Sequence, residues 1–162
     1  MKFKFTRKTN NIPKMKAAAE KVANSVTMKA GWISGLKYDD NTFVAAVAQQ
    51  NEFGVPSKHI PPRPFMRPTA SEHKEEWKNT IAKLIKKQDI ATVFEKLGLV
   101  VAGQIKAKIA SIWEPPLSQV TVNARLAKYD NQTPPDKSIY KPLVDTGTML
   151  AAVSYEVTKG GK

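Results

Sequence analysis

From Ile12 to Met28, apolar side chains at Met15, Ala18, Val22 and Val26 recur at steps of three and four residues, and Ala17, Ala19 and Ala23 add helix propensity. The pattern predicts a first helix over 12–28. Two β-leaning runs come next, Ala30 to Lys37 and Thr42 to Gln50, separated by Tyr38-Asp39-Asp40-Asn41, whose Asp and Asn side chains suit a turn. They predict a hairpin with Trp32, Ile33, Phe43, Val44 and Val47 as its apolar content.

Between Asn51 and Pro68 the chain carries Gly54, Pro56, Pro61, Pro62, Pro64 and Pro68. Proline fixes φ and donates no backbone hydrogen bond, so this segment is expected to be a shaped loop. A second helix comes after it, capped by Thr69 or Ser71, with Trp77, Ile81, Leu84 and Ile85 as its apolar stripe. Glu72, Glu75 and Glu76 lie early in it and Lys83, Lys86 and Lys87 late, which suits the helix dipole.

The longest periodic stretch runs from Asp89 to Trp113, with Val93, Leu97, Val100, Val101, Ile105, Ile109 and Ile112 along one broad face. Gly98 and Gly103 each cost about 1 kcal/mol relative to alanine inside a helix, so they mark a close contact, a bend or a break. Glu114 to Pro142 returns to loop character around a short helical candidate, Gln119 to Lys128. Asp145 or Thr146 then caps a short helix through Met149 to Ala152, and Ser154 to Thr158 alternates as a strand. The predicted fold class is α+β. A small antiparallel sheet, the hairpin plus the C-terminal strand, packs against a long helix and two or three further helices, with long proline-rich loops between them.

A chain of 162 residues with 41% hydrophobic and 25% charged residues has the composition of one globular domain, so a single domain over 1–162 is expected. The absence of cysteine removes disulfides and thiolate chemistry and is compatible with a reducing compartment. The basic start lacks the apolar run of a signal peptide, and no stretch approaches the ~20 apolar residues of a membrane span, so neither is expected. The formal net charge of +12 favours polyanionic partners. Lys2, Lys4, Arg7, Lys8, Lys14 and Lys16 all precede the first acidic residue, Glu20, so the N-terminal region is basic, with an arm expected over about the first 11 residues.

Candidate chemistry is sparse. Asp145-Thr146-Gly147 matches the tripeptide of aspartic proteases, but only 15 residues come after it and no second copy supplies the other carboxylate. Helix capping is the simpler reading. His59 and His73 stand 14 apart without metal-ligand spacing, and no phosphate-binding glycine pattern occurs, so no metal, cofactor or catalytic site is expected. Lys58, Arg63, Phe65 and Arg67 share one loop, which suits either phosphate contact with base stacking or a buried Phe65 with charges at its rim.

Two segments carry a family resemblance. Gln50-Asn51-Glu52-Phe53-Gly54 and then His59-Ile60-Pro61-Pro62-Arg63-Pro64-Phe65-Met66-Arg67-Pro68 resemble a signature of tailed-bacteriophage neck and tail-completion proteins. In that family a strand ends in the Asn-Glu-Phe-Gly-like turn and leads to the proline loop and a helix. The later segments agree: Glu114-Pro115-Pro116-Leu117-Ser118, then Thr121 and Arg125, then Lys141-Pro142-Leu143-Val144-Asp145-Thr146-Gly147-Thr148-Met149-Leu150 and Ser154-Tyr155-Glu156-Val157. Together they span about two thirds of the chain, in the family's order.

The resemblance implies a non-enzymatic structural protein of the virion, assembled in the host cytoplasm. It joins tail to capsid connector as a homo-oligomeric, commonly hexameric, ring that contacts other neck, connector and tail proteins. Proline-fixed loops lose little entropy on docking, so the subunit or partner interface is expected at Phe53, Ile60, Pro62, Arg63, Phe65, Arg67, Pro116, Leu117, Arg125 and Lys141. Phe65 is the expected anchor between subunits, flanked by Arg63 and Arg67 for carboxylates on a neighbour. Basic residues facing the lumen of such a ring would make nonspecific contact with genomic DNA. The alternatives are a minor tail or baseplate structural protein and a nonspecific nucleic-acid-binding module, with no membrane role in any of them.

Overall fold

The computed structural model describes residues 26–128 and 137–159. The basic arm and nearly all of the helix expected over 12–28 lie outside them. The last three residues of that expected helix open a strand instead, β1 (Val26–Gly31). The β-branched pair Val26-Thr27 favours extended backbone, and burial alternates along the strand so that Val26, Met28 and Ala30 turn inward.

β1 pairs antiparallel with the last element, β2 (Ser154–Lys159), from Val26 opposite Lys159 to Gly31 opposite Ser154. These two strands are the whole sheet among the described residues. The hairpin is therefore corrected. Its turn exists, closed by Tyr38 N–H to the Thr42 carbonyl at 2.9 Å and Thr42 N–H to Asp40 Oδ1 at 2.9 Å, but it brings together only a single bridge, Lys37 with Phe43. The next element is a helix, α1 (Val44–Phe53), in which Ala45, Ala46, Ala48, Gln49 and Gln50 outweigh two valines in propensity. The C-terminal strand thus takes β1 as its partner in place of the hairpin.

The second helix, α2 (Met66–Leu84), begins before the expected caps and takes Pro68 into its first turn, where a missing N–H costs nothing. The third, α3 (Ile90–Ser111), starts at an Asp89 cap whose carboxylate accepts from Thr92 N–H at 3.1 Å. α2 and α3 run antiparallel. Trp77 Nε1 donates to Gln104 at 2.7 Å, and Lys108 reaches Glu72 at 2.6 Å. α4 (Gln119–Ala127) and the one-turn α5 (Thr148–Ala151) complete the five α-helices of the described residues.

The fold is α+β, with the two-stranded sheet laid on the long helix α3. Leu97, Val101, Ile105 and Ile109 face the core, and Val44, Phe65, Met149 and Val153 close over them. The two glycines of α3 separate cleanly. A Cβ on Gly98 would collide with the Tyr155 ring of β2, whereas one on Gly103 would meet nothing within 4 Å. Gly98 is thus the close contact that lets the sheet approach the helix, and α3 continues through both positions.

Candidate partner-binding site

The residues expected at an interface gather around three buried charges. The first is Glu52, in the last turn of α1 and only 3% exposed. Gly54 comes two residues later at φ 75°, where a Cβ would lie 2.8 Å from Pro62 N and 2.9 Å from the Ile60 carbonyl oxygen, so only glycine fits the turn. Val55 and Ile60 then bond reciprocally, and Arg63 N–H donates to the Asn51 carbonyl at 2.7 Å. This small closed loop brings the start of α2 back onto Glu52.

There the carboxylate accepts from three successive backbone N–H groups: Phe65 at 2.6 Å, Met66 at 2.9 Å and Arg67 at 3.1 Å. It also accepts from Arg67 Nε at 2.9 Å. A helix leaves its first N–H groups without intrahelical partners, and a carboxylate at that end also meets the positive pole of the dipole. Burial pushes the Glu52 pKa up, but the N–H groups of Phe65 and Met66 and the Arg67 contacts outweigh it and hold it below the ordinary glutamate value. Glu52, not Thr69 or Ser71, caps α2. Thr69 is buried and returns its hydroxyl to the Phe65 carbonyl at 2.6 Å.

Arg63 is the second buried charge, 5% exposed. Its Nε donates to the Pro115 carbonyl at 2.6 Å and its Nη2 to the Pro116 carbonyl at 2.7 Å. The third is Arg125 on α4, 8% exposed. Its Nη1 reaches the carbonyls of Lys141 at 2.8 Å, Ile139 at 3.1 Å and Val144 at 3.2 Å, while Nε lies 3.5 Å from Asp145. Each guanidinium therefore staples a loop that has no regular ladder of its own, supplying donors to carbonyls that would otherwise be orphaned. Asp145 also pairs with Lys128 at 2.8 Å, so the Asp-Thr-Gly carboxylate belongs to this network and does not cap α5. Thr146 Oγ1 accepts from Thr148 N–H at 3.4 Å.

The expected interface residues divide on this scaffold. Phe65 is fully buried, edge-on to Trp32 with ring centroids 5.5 Å apart. It is a core residue of its own domain and presents nothing to a neighbouring subunit. Arg63 and Arg125 bind loops of their own chain. Ile60, Leu117 and Lys141 are half-buried. Phe53, Pro62, Arg67 and Pro116 are exposed, and Phe53 and Arg67 form one unit, with the guanidinium 4.6 Å from the ring centroid. Beside the proline loop, Lys141 stands over the exposed Trp113 ring at 4.9 Å.

Sequence reasoning missed the role of Glu52, because its partners lie 13 to 15 residues away and no local spacing announces them. It also missed the exposed Trp113 and the tie made by Trp32, which it placed only among the apolar residues of the hairpin. Trp32 donates Nε1–H to the Met149 carbonyl at 2.8 Å and so ties the loop after β1 to α5. Among the described residues no three His, Asp or Glu side chains are grouped to hold a metal ion, and no helix is long and apolar enough to cross a membrane. No family model matches the chain, and comparison with curated proteins and with solved structures finds no significant match.

Proposed function

We propose that this chain is a non-enzymatic structural protein of a tailed-phage virion, a tail-completion or head-tail connector component that assembles as an oligomeric ring at the neck. The observation that carries the reading is that the segments resembling that family are each other's partners. Glu52 binds the start of the Arg67 helix, Arg63 binds Pro115 and Pro116, and Arg125 binds the Lys141–Val144 stretch. Segments scattered over about two thirds of the sequence make one knot, which is what a shared fold requires and a chance string of short matches does not.

The knot leaves an ordered rim. Phe53 stacked with Arg67, Pro62, Pro116 and the Trp113–Lys141 pair stand on helix ends and loops already fixed from within. Such surfaces lose little entropy when they dock, and closed symmetry repeats the gain around a ring. The net charge of +12 supports a second role, nonspecific contact with genomic DNA passing through the ring.

Electron microscopy of particles made when the gene is inactivated in its phage tests the reading. Filled heads beside separate, unattached tails are the expected result; normal infectious virions would refute it. A nucleic-acid-binding module would show itself differently, through DNA affinity of the free protein that falls steeply with salt.

A further inference from the structure

Arg63 is a buried cation without an anion. Its two side-chain hydrogen bonds go to neutral carbonyls, no carboxylate among the described residues lies within ion-pair distance, and Nη1 has no acceptor there. Burial, and then the charge of Arg125 nearby, holds the Arg63 guanidinium below its ordinary pKa. An arginine stays protonated under such pressure, so the repulsion persists at neutral pH. Both guanidinium groups line one open cavity of about 520 Å³ between α1, α4 and the turn into α5.

The rest of the lining selects the occupant. Val47, Leu117, Leu143 and Met149 give the cavity apolar walls, so a bare ion would leave most of it unused. Its charged groups balance: Arg63, Arg125 and Lys128 against Asp39, Asp40 and Asp145. A polyanion gains nothing from a neutral mouth containing three carboxylates, whereas one carboxylate reaching Arg63 meets a charge-assisted donor in a partly dehydrated setting.

We propose that this cavity is a socket for a single carboxylate of a partner polypeptide, presented beside an apolar side chain. The carboxylate belongs either to a chain terminus or to an acidic residue, and it seats on Arg63 Nη1, offsetting the repulsion between the two guanidinium groups. The inference concerns the free protein and stands apart from the virion assignment, so the loss of either leaves the other to be judged alone.

The test is a titration of the isotope-labelled full-length chain, monitored through the arginine Nε–Hε signals by NMR. The probes are N-acetyl-leucine, N-acetyl-leucyl-glutamate α-amide, N-acetyl-leucine amide and inorganic phosphate. Fragments of this size are expected to bind with Kd on the order of 1–10 mM. Saturable shifts of the Arg63 signal with either carboxylate probe, and not with the amide, support the socket. Response to N-acetyl-leucine alone identifies a terminal carboxylate, and response to the glutamate probe alone an acidic side chain. Arg63→Gln should weaken binding roughly tenfold or more. Because that variant also loosens the Pro115–Pro116 loop, Leu117→Trp provides the second control, filling the cavity with both arginines in place and abolishing binding. Equal response to the amide, binding that survives Leu117→Trp, or no response to either carboxylate would overturn the proposal. Phosphate binding more tightly than both carboxylates would also overturn it, in favour of a phosphate-bearing partner.

Discussion

Replacing Glu52 by glutamine keeps the shape of the side chain and removes its charge, which isolates the electrostatic part of the α2 cap. In the native protein two carboxylate oxygens serve four donors: the N–H groups of Phe65, Met66 and Arg67 and the Arg67 guanidinium. Glutamine offers one oxygen and turns an NH2 group toward the remaining donors. At least one buried N–H then loses its acceptor, at about 1–3 kcal/mol. Loss of the negative charge at the helix start adds about 0.5–2 kcal/mol. The sum, roughly 1.5–5 kcal/mol, is large against the stability of an ordinary domain.

For a chain of this size each kcal/mol moves the midpoint by about 2–4 °C, so Glu52→Gln should melt roughly 3–20 °C lower at pH 7. The pH dependence supplies the sharper check. The folded pKa of Glu52 lies below the ordinary glutamate value, so its contribution is complete above the unfolded value and disappears as pH falls through the folded one. The gap between wild type and variant, measured by urea denaturation with circular dichroism, should be constant from pH 7 to pH 5 and narrow progressively as pH falls through and below the ordinary carboxylate range. A loss under about 1 kcal/mol, or a gap unchanged at pH 3, would refute the assignment of Glu52 as the cap.

Gly98→Ala should destabilise by about 1–3 kcal/mol because its Cβ collides with Tyr155, whereas Gly103→Ala in the same helix should stabilise by about 0.5–1 kcal/mol. Thermal melts of the pair would sink this account of the sheet–helix approach if both moved in the same direction. Phe65→Ala should cost about 3–5 kcal/mol in the isolated monomer, since the ring is fully buried beside Trp32. An undiminished urea midpoint would return Phe65 to the surface. Phe53→Ser should leave the melting midpoint nearly unchanged and reduce self-association by sedimentation, because that ring is 59% exposed. Unchanged sedimentation of a wild-type oligomer would remove Phe53 from the interface.

The parts of this fold that are legible in sequence are those whose cause is local. α3 announces itself through a broad apolar face that begins near Asp89, and the ends of α4 and β2 fall within a residue or two of expectation. The second arm of the hairpin misleads because a short run with two valines suits strand and helix alike, and its alanines decide the outcome. Val26 to Met28 resemble the tail of a helix because their partner, Val157 to Lys159, lies at the other end of the chain. The site is hidden for a different reason. Arg63 and Arg125 are held mainly by carbonyl oxygens, and every residue has one, so no side-chain spacing marks the acceptors. The family resemblance singles out segments that do meet in space, but it casts their buried members as surface groups.

The sheet also determines how the domain bears load. Val26 and Lys159 stand opposite each other at the same end of the ladder, so tension applied at these two residues would part the strands one rung at a time. Six residue pairs opened in sequence resist far less than six sheared together. The arginine staples lie off this line, between Arg63 and Asp145. A pull at Val26 and Lys159 would open the sheet first and leave the arginine-stapled loops intact, so in any assembly strained along that line the sheet end would act as the mechanical fuse.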